Sequence, residues 1–103
     1  MAERRNMSTV IVREKDANIM SIPFSGFTVT CPEIKLYKRG GWFDQREKLK
    51  GSLSVYENIV IIPSTEHIGA GDWELTVKAL VDDMEQTQKV RIIVKPRNDK
   101  AFD

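Results

Sequence analysis

Trp73-Glu74-Leu75-Thr76-Val77-Lys78-Ala79-Leu80-Val81, answered after a polar connector by Gln88-Lys89-Val90-Arg91-Ile92-Ile93-Val94-Lys95, decides the fold. In the first run Trp73, Leu75, Val77, Ala79 and Val81 alternate with Glu74, Thr76, Lys78 and Leu80. A strand turns successive side chains to opposite faces, so a period of two this long is a strand with one face on a core. In the second run Val90, Ile92 and Val94 play the same part. Residues 82–86 are the right length to join the two runs as a hairpin.

Working outward, the period of two recurs. Residues 9–13 form a short β-branched strand, 15–18 a turn, and 18–22 a second strand stopped by Pro23. Residues 26–30 read as a strand running into Cys31-Pro32. Residues 33–39 read as another, with Ile34 and Leu36 inward and Lys35 and Lys38 nearer solvent. Gly40-Gly41 ends it, because glycine takes positive φ without steric cost. Residues 42–50 form a charged excursion, a long loop or ragged hairpin. Two more strands follow at 51–55 and 57–62. The run Ile59-Val60-Ile61-Ile62 is continuously apolar, which implies cover on both faces. Residues 63–68 suit one helical turn with Ser64 as its N-cap and Glu66 in its first turn. No stretch keeps helical spacing over three turns, and no segment repeats.

Composition narrows the classes. The 103 residues are 41% apolar and 30% charged, with a net charge of +1. That is too apolar for a disordered chain and too neutral for a dedicated nucleic-acid binder. A chain of this length forms one domain and buries roughly two-thirds of its unfolded surface, so it needs no disulfide or metal to fold. No apolar run approaches the roughly 20 residues of a membrane span. The residues before Ser8 are polar and basic, unlike a secretory signal, and Ala2 does not suit myristoylation. Asn6-Met7-Ser8 matches a glycosylation triplet and is read as coincidence. Pro96 cannot continue a paired strand, so the polar residues after it read as a tail.

Catalytic chemistry has little to build on. Cys31 and His67 are the chain's one cysteine and one histidine. A nucleophile needs a base within hydrogen-bond reach, and zinc needs several such ligands. Cys31 reads as a small filler at a strand end and His67 as a solvated turn residue. Asp82, Asp83 and Glu85 lack the twelve-residue loop of a calcium site. Gly69-Ala70-Gly71 leads into a strand, whereas a phosphate cradle opens a helix.

One patch stands out. Between residues 35 and 50 lie six basic residues (Lys35, Lys38, Arg39, Arg46, Lys48, Lys50) and two acids (Asp44, Glu47), interleaved with Tyr37, Trp42 and Phe43. Three readings fit: a solvated hairpin whose rings tuck onto the core, a protein hot spot rich in Trp, Tyr and Arg, or a stacking platform for single-stranded nucleic acid. Leu80 and Ile93, outward on the last hairpin, add weight to a protein interface.

The run Ile62-Pro63-Ser64-Thr65-Glu66-His67-Ile68-Gly69-Ala70-Gly71-Asp72-Trp73-Glu74-Leu75-Thr76-Val77-Lys78-Ala79 resembles the closing half of an immunoglobulin-like β-sandwich. It shows a Pro-initiated connector, a Gly-x-aromatic step and an alternating strand, with Trp73 where such domains often place a tyrosine. More narrowly, a short strand followed by Lys15-Asp16-Ala17-Asn18 and an apolar strand resembles the small Ig-like domains of tailed-phage virion proteins. The baseplate upper protein family, which links receptor-binding proteins to the tail, is one example. The similarity spans residues 9–95. The chain departs from antibody-type domains in lacking the cysteine pair, and it carries the charged insertion 42–50.

The expected fold is therefore all-β, an immunoglobulin-like antiparallel β-sandwich of about seven strands. An arm at 1–8 precedes the domain at 9–95, and a tail follows at 96–103. What the resemblance implies is a non-enzymatic structural module of a phage virion, as capsid decoration or in the tail or baseplate. It would dock through Tyr37, Lys38, Arg39, Trp42, Phe43 and Arg46, with Arg4 and Arg5 as a second contact. The expected partners are proteins in a larger symmetric assembly, without membrane or cofactor, and a homo-oligomer stays open. The location implied is the virion or the host cytoplasm. A soluble inhibitor or accessory protein of a host enzyme, and a single-stranded nucleic-acid binder, are the alternatives.

Overall fold

The structure, a computed structural model, describes residues 8–49 and 51–96. Seven strands appear in it: β1 (Ser8–Arg13), β2 (Met20–Pro23), β3 (Val29–Lys38), β4 (Ser54–Tyr56), β5 (Ile59–Ile62), β6 (Gly71–Val81) and β7 (Met84–Lys95). They form two sheets, one of order β1-β7-β6-β3 and one of order β2-β5-β4. This is the strand arrangement of an immunoglobulin-like sandwich, with the second, fifth and fourth strands facing the third, sixth and seventh. One pairing departs from the expected antiparallel pattern. β1 lies parallel to β7, with Ser8 opposite Val90 and Arg13 opposite Lys95. A parallel partner needs a long connection, and here the entire rest of the domain supplies it.

β6 and β7 follow the alternation closely. Trp73, Leu75, Val77, Ala79 and Val81 are buried, as are Val90, Ile92 and Val94. Ile34 and Leu36 of β3 extend the same row, and facing it are Val60 and Ile62 of β5 and Met20 and Ile22 of β2. Burying each such side chain contributes about 1.5–3 kcal/mol before entropy costs. Leu80 and Ile93, expected on the outward face, are half-buried.

Four local expectations are corrected. First, the hairpin connector is only Asp82-Asp83, and β7 already begins at Met84. Both aspartates take positive φ, 52° and 69°, the backbone of a two-residue hairpin turn whose twist matches the strands. Second, residues 26–30 and 33–39 do not give two strands. β3 runs through with a bulge between Thr30 and Glu33, where Cys31 has φ 53°. The bulge absorbs Pro32, which has no N–H to give a ladder. Cys31 is consequently exposed and fills no core space. Third, residues 63–68 form a turn and no helix. Ser64 Oγ does accept the Glu66 N–H at 3.1 Å, but the chain closes with a bond from Ile68 N–H to Thr65 O. Fourth, the excursion at 42–50 holds the one helical turn among the described residues, a 3₁₀ turn at Arg46–Lys48. Leu49 behind it is buried in the core.

The loops gather at two ends. The turn 82–83, the 24–28 loop and the 57–58 turn share one. Asp82 ties the first two, its carboxylate accepting from Phe27 N–H and Thr28 N–H at 3.1 and 2.9 Å, and Asn58 ties the third, its side-chain amide donating to Phe24 O at 2.6 Å. Gly26 is required there: its φ is 151°, and a Cβ would collide with the Val81 side chain. The other end carries residues 14–19, 39–49 and 63–70.

Candidate functional site

The 39–49 segment leaves β3 at Gly40-Gly41 and folds back along that strand's outer edge. Edge strands present unpaired backbone groups, and an uncovered edge invites another chain. Here the segment covers it. Gln45 N–H donates to Leu36 O at 2.6 Å, and Leu36 N–H donates to Asp44 Oδ1 at 3.1 Å. The same oxygen accepts the Arg46 N–H at 3.0 Å. The Arg46 guanidinium reaches Ile34 O at 3.3 Å and pairs with Asp44 at 3.2 Å. Leu49, in the core, holds the far side. The loop is thus clamped at both flanks.

Between the glycine turn, where Gly41 N–H donates to Lys38 O at 2.7 Å, and the Asp44 clamp sit Trp42 and Phe43. They are 78% and 64% exposed, and their rings stack on each other with centroids 4.8 Å apart. The reading in which these rings tuck back onto the core is overturned. The glycine pair turns the chain away from the core, and Asp44 then fixes it to the β3 edge before the rings could reach inward.

The structure divides the remaining candidates. Tyr37 is half-buried on the outer face of the four-stranded sheet, opposite Glu74. Lys38, one residue on, belongs to the inward row. Its ammonium lies 5.7 Å over the Trp73 ring, a cation–π contact. Arg39 is drawn to Asp72 at 3.5 Å. Asp72 also takes two bonds from Arg91, at 3.0 and 2.7 Å. The Arg91 hydrogen bonds hold the Asp72 carboxyl below its usual value, burial opposes them, and the charges of Arg91 and Arg39 add to the lowering. So the six candidates do not converge on one spot. Trp42 and Phe43 form the exposed centre, Arg39 and Arg46 flank it already paired, and Tyr37 and Lys38 serve the sheet. Arg4, Arg5, Lys50, residues 97–103 of the tail and the Asn6-Met7-Ser8 triplet lie wholly or partly outside the described residues.

The sequence reading missed a second exposed apolar pair, Phe27 and Met84, at the 82–83 end. Its signal was the aspartate turn, which ends the core alternation before Met84. A groove between the first half of β1 and the length of β2 is lined in part by Val10, Met20, Ile22, Lys89 and Val90. Cys31 and His67 lie toward opposite ends of β6, and His67 contacts Glu66 at 3.5 Å. Among the described residues no three His, Cys, Asp or Glu side chains cluster as metal ligands would. No helix among them is long and apolar enough to cross a membrane. Compared with family models and with curated proteins, the chain matches none, so what is established of its kind is the two-sheet immunoglobulin-like fold.

Proposed function

We propose that the chain is a non-enzymatic interaction module that docks on a larger protein assembly through the Trp42–Phe43 stack. The observation that carries this reading is a solvent-exposed pair of aromatic rings on a loop clamped to its sheet. Preorganised aromatic anchors lose little conformational entropy on binding, and such residues dominate hot spots. The pairing of Arg39 with Asp72 and of Arg46 with Asp44 favours a protein over phosphate, because cations already neutralised release fewer counterions. The virion of a tailed phage is the setting the sequence resemblance implies. Many copies on a symmetric lattice would let each contact be weak. Trp42→Ala and Phe43→Ala test it: co-purification with capsid or tail proteins is lost while the melting curve stays in place. Rings whose removal unfolds the domain are core, and that result ends the proposal. A steep loss of binding with added salt transfers the patch to nucleic acid.

A further inference from the structure

We infer that the end of the domain carrying the 82–83 turn is a docking surface for a basic segment of a partner protein, with Phe27 as its anchor. This end lies opposite the Trp42–Phe43 stack and does not depend on it. Two phenylalanines flank the Ser25-Gly26 corner, and they part company. Phe24 is 3% exposed, in the core, whereas Phe27 is 86% exposed, more than any other large apolar side chain among the described residues. Met84, at the same end, is 71% exposed. The loop that carries Phe27 is held at most of its backbone groups. Phe24 N–H donates to Asn58 O at 2.9 Å, and Asp82 N–H to Thr28 O at 2.8 Å. Gln86 Nε2 donates to Ser25 O at 2.9 Å, and the Asp82 carboxylate takes the N–H groups of Phe27 and Thr28. A ring kept in water on so tied a loop loses little freedom when a partner buries it.

Charge selects the occupant. The segments that meet at this end, 24–28, 57–58 and 82–86, hold four acidic residues, Glu57, Asp82, Asp83 and Glu85, and no basic one. The chain as a whole is nearly balanced, with 16 basic residues and 15 acidic, so the sign belongs to this end. Asp82 commits its oxygens to the loop. Glu85 has Lys78 at 3.9 Å, a loose contact between exposed groups. Glu57 and Asp83 are exposed. A field of one sign repels nucleic acid, an anionic membrane and the same end of a second copy, and it draws a cationic partner. The exposed ring and thioether ask in addition for apolar area on that partner, since a run of lysines alone would leave them in water. Arginine suits both demands, because its guanidinium pairs with carboxylates and stacks on an aromatic face. The segment that fits is therefore short, rich in arginine and lysine, and apolar between its charges.

The test is a titration of the isotope-labelled full chain, followed by NMR, with an amidated peptide in which arginines and lysines flank two central leucines. Amide shifts should concentrate at residues 25–28, 57 and 83–86, with half-saturation below about 1 mM, the range of a small charge-assisted contact. Phe27→Ala leaves the backbone bonds of the loop in place and should weaken binding about tenfold, the loss expected of an anchor. Glu57→Gln combined with Asp83→Asn should weaken it by about the same factor and remove most of its dependence on salt. A peptide with glycines in place of the leucines that shifts the same amides as strongly removes Phe27 from the account and overturns the inference. Shifts that fall on the Trp42–Phe43 loop instead overturn it, as does the absence of any shift at about 1 mM peptide. Shifts at these residues that grow with protein concentration alone assign the end to a second copy and overturn it too.

Discussion

Trp73 and Trp42 are the chain's two tryptophans, and they meet opposite fates. Trp73 is 3% exposed, its indole N–H bonded to Gly69 O at 2.9 Å and its ring roofed by Lys38. Trp42 stands in solvent against Phe43. The residue type is the same, so the difference lies in the backbone that carries it. Trp73 belongs to an alternating strand whose other inward members are all apolar, and the core claims the whole row. Trp42 follows two glycines and precedes the Asp44 clamp, so no periodic row recruits it. An aromatic ring held outside a core by specific hydrogen bonds is a stronger sign of recognition than one that merely lacks a place inside.

The comparison can be broken or sharpened by measurement. Trp73→Ala should cost about 3–5 kcal/mol, as large-to-small changes in a packed core do, seen as a large fall in the melting temperature. A small loss would mean that the two tryptophans differ less than their burial implies. Asp44→Ala should cost about 1–3 kcal/mol, because it leaves the Leu36 N–H without its partner. Hydrogen exchange at Leu36 should quicken, and the Trp42–Phe43 stack should become mobile.

A smaller effect ties the two regions together. Arg39, at the root of the loop, shares Asp72 with Arg91 next to Trp73. Asp72 has a lowered folded-state pKa, so its stabilisation is complete above its ordinary value of 3.8 and is lost as pH falls below that value. Asp72→Asn should lower stability slightly at neutral pH, where the ionised carboxylate holds Arg91 and Arg39, and flatten the acid-unfolding curve below pH 3.8, where variant and wild type converge. The smallest effect is expected at the exposed ring. Trp42→Ala should change stability by no more than about 0.5 kcal/mol, while removing the tryptophan fluorescence that acrylamide quenches most readily.

The site was legible in part. Trp42 and Phe43 stood out by composition in a basic stretch, but nothing local showed that the loop returns to β3. That return depends on one carboxylate and one backbone N–H meeting across the segment, a contact with no periodicity. Lys38 was grouped with the patch because it is basic, although strand alternation alone places it in the inward row with Leu36. The bulge at Cys31-Pro32 hid the unity of β3, since one extra residue shifts the period and makes one strand read as two. The run 59–62 read as covered on both faces, but in a two-layered fold Val60 and Ile62 are buried while Ile59 and Ile61 stay half-buried on the outer side.

By itself the sequence determined the strand content, the inward rows of β6 and β7, and the outward position of charge, because alternation is set by backbone geometry within a few residues. Only the tertiary structure decided that β1 lies parallel to β7, that Leu49 returns to the core, and that Asp44 holds two aromatic rings in water. Each of these joins residues distant in the chain or breaks the repeat, and a local period carries no information about which distant edge a segment will meet.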